Sequence, residues 1–75
     1  MESKFDFLGI EFYLNNDKLV KGVLTAEKKK YHCNGNNPND FIDFVCGQVK
    51  LKGFNVKPID INFDGSNYTF NICEE

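Results

Sequence analysis

The chain has 75 residues and a mass of 8.6 kDa, enough for one small domain over residues 1–75 and too little for a separate catalytic lobe. It is 41% hydrophobic and 27% charged, the balance of a folded domain rather than a disordered tail. Nine Lys, no Arg and eleven Asp and Glu give a net charge of −2, which argues against a generic grip on duplex phosphates and removes bidentate guanidinium contacts.

No apolar run approaches the roughly 20 residues of a membrane span. Met1 to Asp6 lacks the basic segment and apolar stretch of a secretory signal. Cys33, Cys46 and Cys73 show no C-x-x-C spacing and read as free thiols of a reducing cytoplasm. A core of this size nets only about 3–5 kcal/mol, so dense packing or self-association is expected to assist it.

Leu8, Ile10 and Phe12 alternate along a first predicted strand. Asn15, Asn16 and Asp17 turn the chain, and Lys18 to Thr25, extending toward Lys30, returns. A three-residue loop would set Glu11 opposite Lys21, Phe12 opposite Val20 and Leu8 opposite Leu24; a two-residue loop shifts these partners, and the spacing allows both. The other face of the first strand reads Phe5, Phe7, Gly9, Glu11, Tyr13. Aromatics on both faces of one strand exceed what a single helix shelters. Either the chain's own loops cover them or they form a docking surface.

A helix follows. Asn37 caps it, Pro38 takes the first helical position and Asp40 complements the positive end. Ile42, Val45, Cys46 and Val49 recur at helical spacing, with Phe41 and Phe44 widening the apolar stripe. Lys50 and Lys52 suit the last turn and Gly53 is the stop. Gly47 within the helix reflects either a close neighbour or plain tolerance.

A second hairpin closes the order. Ile59, Ile61 and Phe63 alternate with polar residues, as do Tyr68, Phe70 and Ile72. A two-residue Gly65-Ser66 turn of type II′ pairs Phe63 with Tyr68, Ile61 with Phe70 and Ile59 with Ile72. The expected fold is therefore α+β, in the order β-β-α-β-β, with a four-stranded antiparallel sheet and one helix packed on one face.

Three motifs carry chemistry only weakly. Asp60, Asn62, Asp64 and Gly65 match the opening of a calcium loop, but Asn71 stands where the bidentate Glu belongs and no helix enters. His32 and Cys33 are adjacent, and neighbours in a strand point to opposite faces, so they make a poor dyad. Lys28, Lys29 and Lys30 beside Tyr31 suggest single-stranded nucleic acid or, more simply, a guarded sheet edge. No catalytic residue, metal site or cofactor is assigned.

The expectation is a non-enzymatic protein-interaction module, a small inhibitor or accessory factor of the kind a phage or mobile element encodes. It would dock on a larger protein, and self-associate as a homodimer, through Phe5, Phe7 and Tyr13 with a charged rim of Glu11, Lys21, Lys28, Lys29 and Lys30. The alternative is a single-stranded nucleic-acid binder using the same aromatics and the Lys28–Lys30 cluster, and behind it a small thiol enzyme.

Overall fold

The computed structural model describes residues 2–33 and 35–75, and for residue 2 the backbone only. The fold is α+β with an antiparallel sheet, as expected. Among the described residues it has five strands rather than four, and two α-helices rather than one.

The extra strand comes from a turn at Leu8-Gly9. Both residues have positive φ, 50° and 89°, so the chain reverses in two residues. What reads as one strand is therefore β1 (Glu2–Phe7) followed by β2 (Ile10–Asn15). The reversal changes the faces. Phe5 pairs with Phe12 and Phe7 with Ile10, so both phenylalanines lie on the core side. Lys4 pairs with Tyr13 and Asp6 with Glu11 on the open side. The expected face joining Phe5 and Phe7 to Tyr13 does not form, because the turn inverts the alternation on which it was based.

Asn16 and Asp17 make a second two-residue turn, with φ of 54° and 66°, into β3 (Lys18–Thr25). A bulge at Val20 then shifts the ladder, so that Lys21 faces Tyr13, Gly22 faces Phe12 and Val23 faces Glu11. The two-residue loop sets the Asn15–Lys18 and Leu14–Leu19 pairs, the bulge moves every pair beyond them, and the Glu11–Lys21, Phe12–Val20 and Leu8–Leu24 pairs of a three-residue loop are absent.

Beyond Thr25 the chain turns into α1 (Ala26–His32) instead of continuing as strand. The Thr25 hydroxyl accepts from the Lys28 N–H at 3.2 Å, Glu27 lies in the first turn, and Lys29, Lys30 and His32 lie in the last. Next comes α2 (Pro38–Gln48), capped as expected by Asn37, whose side chain accepts from the Asn39 N–H at 2.8 Å. It tightens into a 3-10 turn over Val49–Lys52 and stops at Gly53, where φ is 95°.

The sheet ends with β4 (Val56–Phe63) and β5 (Asn67–Glu74). Phe63 pairs with Tyr68, as expected. A bulge at Asp60–Ile61, with Asp60 at φ 53°, then shifts the ladder, so Ile59 faces Asn71 and Pro58 faces Ile72. Ile59 is thereby turned to the open side and is 37% exposed. At the hairpin end Gly65 has positive φ, and the Asp64 carboxylate accepts from the N–H groups of Ser66 at 2.9 Å and Asn67 at 2.7 Å.

The spatial order is β1-β2-β3-β5-β4. One core binds the sheet to the helices: Ile10, Phe12, Leu19, Leu24, Val56, Phe70 and Ile72 meet Cys33, Ile42, Val45, Cys46 and Val49. Gly22 has a steric reason to be glycine, since the Phe70 ring lies across its α-carbon. Gly47 has none; it is exposed and open space surrounds it.

Candidate functional site

The residues expected to form one docking patch fall on different parts of the molecule. Phe5 stacks on Phe12 and Phe54, with ring centroids 5.5 and 6.3 Å apart. Lys52 lies over both Phe5 and Phe7, its Nζ 5.5 and 5.4 Å from the ring centroids. The 3-10 turn and Phe54 thus cover β1's aromatics, whose rings are half-buried.

Glu11, Tyr13 and Lys21 do meet, on the open face. The Tyr13 hydroxyl donates to the Glu11 carboxylate at 2.9 Å, and the Lys21 ammonium lies 4.9 Å from the Tyr13 ring centroid. That hydrogen bond, with burial and the charges of Glu11 and Asp6, holds the Tyr13 phenol above its ordinary pKa. Lys28, Lys29 and Lys30 sit on α1, on the helical side of the sheet.

The exposed aromatics lie around α1 and α2. Tyr31 is 73% exposed, Phe44 57% and Phe63 56%. Phe44 belongs here for a geometric reason. At about 100° per residue it falls roughly 150° from the centre of the Ile42–Val45–Cys46–Val49 stripe, so it cannot face the sheet. Phe63 pairs with Tyr68 at the corner of the sheet, with ring centroids 4.7 Å apart, and is left half open.

Two shallow grooves hold Phe44 and Phe63, and Tyr31 lines neither. One, of about 450 Å³, is lined by His32, Asn36, Asn37, Asp40, Phe41 and Phe44. The other, of about 430 Å³, runs between α1 and the β4–β5 turn, past Lys29, Lys30, Cys33, Pro38 and Phe63. Both touch Asn36, so the surface is continuous from Phe44 to Phe63. His32 also packs on Gly9, fixing α1 against the β1–β2 turn; a Cβ there would lie 2.5 Å from its ring. Lys29 is drawn toward the sheet, 5.9 Å from the Tyr68 ring centroid.

Cys33 and Cys46 are packed in the core. Cys33 is 1% exposed and burial raises its pKa, partly countered by the Lys29 charge. Burial, aided by Asp43, pushes the Cys46 thiol up to about 12. A thiol held protonated is a poor nucleophile. Asp64, the third oxygen residue of the calcium-like string, commits its carboxylate to the hairpin turn. The N–H groups of Asn67 and Ser66 hold it below the usual carboxylate range.

His32, Phe41, Phe44 and Phe63 are the residues that sequence reasoning did not place in a site. The available signal was an apolar helical pattern too wide for one buried face. No helix among the described residues is long and apolar enough to cross a membrane. Comparison with known proteins finds no matching family model and no significantly similar curated protein or solved structure.

Proposed function

We propose that the protein is a non-enzymatic protein-interaction module, an inhibitor or accessory factor that docks on a larger partner through the surface around α1. The observation that carries this reading is the exposure of Phe44 and Phe63 at the two ends of one continuous grooved surface. Aromatic side chains left open in this way are the anchors that protein interfaces use. Lys28, Lys29 and Lys30 flank the surface and favour a partner segment that presents apolar anchors beside acidic residues.

Single-stranded nucleic acid would use the same aromatics and lysines. The Phe44 groove favours a peptide, because Asp40 lines it and Asp43 stands beside it on α2. The experiment is crosslinked capture from the source cell with wild type and with Phe44→Ala plus Phe63→Ala, beside a salt titration on an oligothymidine probe. A protein partner retained at high salt by wild type and lost by the double variant supports the reading. Equal capture by both, or only salt-sensitive oligonucleotide binding, overturns it.

A further inference from the structure

The two edges of the sheet are built differently. Along β4, Pro58 lacks an N–H and the Asp60–Ile61 bulge breaks the ladder, both devices that stop another strand from pairing. The other edge, β1, has neither. Its pairing with β2 is regular over all six residues from Glu2 to Phe7.

The Leu8-Gly9 turn decides which backbone groups of β1 remain free. A two-residue loop makes its flanking pair, Phe7 and Ile10, a hydrogen-bonded one. Phe5 and Ser3 then bond to β2 as well, and the N–H and C=O groups of Glu2, Lys4 and Asp6 point outward. A second strand must pair through those three residues.

Charge and length of overlap then select a register. Centring an antiparallel pair of β1 strands on Lys4 sets Lys against Lys, and centring it on Asp6 sets Asp against Asp. Centring it on Ser3 sets Lys4 against the partner's Glu2 but pairs only three residues of each β1. Centring it on Phe5 sets Lys4 against the partner's Asp6 and Asp6 against the partner's Lys4, and pairs the longer run from Ser3 to Phe7. This register also answers a mismatch within the subunit. Asp6 pairs with Glu11, both acidic, and no cation among the described residues lies within ion-pair reach of Asp6.

We propose that β1 binds β1 of a second copy of this chain, antiparallel, with Phe5 opposite the partner's Phe5 and Lys4 opposite the partner's Asp6. The two five-stranded sheets become one. The partner's ammonium settles beside the Asp6–Glu11 pair. The Phe54–Phe5–Phe12 stack continues across the seam on the core side. An edge of six residues buries little area, so the association is reversible and concentration-dependent. It uses a surface separate from the grooves around α1, and its failure leaves the partner-docking reading standing.

The test exchanges charges. K4E makes both facing positions of the Phe5-centred register, 4 and 6, acidic, and D6K makes both basic. Each variant alone should self-associate at least about tenfold more weakly than wild type. Mixed together, they should form heterodimers near wild-type strength, because each Glu then faces a Lys and each Asp faces a Lys. Sedimentation across a concentration series reads the mass, and circular dichroism confirms that each variant is folded. In wild type, the amide protons of Lys4 and Asp6 should gain exchange protection as concentration rises. A wild type that stays monomeric up to millimolar concentration overturns the proposal. So does a dimer that is indifferent to both variants, or one that leaves those two amides unprotected.

Discussion

Replacing Gly22 by Ala tests how tightly the centre of the sheet is filled. An ideal Cβ at this position would lie 2.3 Å from Phe70 Cζ and 2.7 Å from Cε2. That is about 1 Å inside normal carbon contact. The ring has little room to yield, since Phe70 is 2% exposed and meets Phe12 edge-on at 6.4 Å. Overpacking of this kind costs about 1–3 kcal/mol. Removing glycine's excess backbone entropy returns about 0.5–1 kcal/mol. The net expectation is a loss of about 1–2 kcal/mol, read as a lower urea midpoint at unchanged slope. In a Phe70→Leu background the penalty of the alanine should shrink, because the colliding ring edge is gone. Gly47→Ala is the matched control. Nothing approaches within 4 Å of its Cβ position, so the same substitution in α2 should stabilise by about 1 kcal/mol. Equal or higher stability for Gly22→Ala would refute the packing account.

Leu8→Asn should raise thermal stability by about 1 kcal/mol, because Leu8 holds a left-handed φ of 50° while 44% exposed, and Asn-Gly suits a two-residue turn. A lower midpoint would contradict the assigned turn. Asp64 has a lowered pKa in the folded chain, so its contribution is present above the unfolded carboxylate pKa and is lost as pH falls through the folded value. Asp64→Asn keeps an acceptor but not the charge, and should flatten the acid limb of a stability–pH curve; an unchanged limb would count against the turn geometry. Cys46, protonated to about 12 and 1% exposed, should resist alkylation in the native state while half-buried Cys73 reacts first. Mass spectrometry of partially labelled protein reads the order, and early labelling of Cys46 would show that the core opens readily.

Where one local rule decides the structure, the sequence was sufficient. Asn37, Pro38 and Gly53 delimit the second helix by capping chemistry alone, and the Ile42–Val49 stripe is buried as its period requires. Where two rules compete, it was not. Leu8 has the propensity of a strand residue and occupies a turn, so one hairpin read as one strand and the faces of Phe5 and Phe7 were inverted. Lys28 to Lys30 suit a strand edge as well as a helix; the Thr25 cap and the Ala26-Glu27 start decide for the helix. The bulges at Val20 and at Asp60–Ile61 have no composition of their own, and each moved a register by one residue. The surface around α1 depends on all of these together, because Phe44 and Phe63 are exposed only in relation to where the sheet ends.

The strand order has a consequence for biosynthesis. The second hairpin strand, Asn67–Glu74, is translated after the four other strands and both helices yet occupies the interior of the sheet, between β3 and β4. Until it leaves the ribosome, the nascent meander of β1, β2 and β3 ends in an unpaired β3 margin, and β4 has no neighbour to lie against. The domain therefore closes as its last ladder zips, and a nascent chain stalled before residue 67 leaves both of those margins open to wrong pairing.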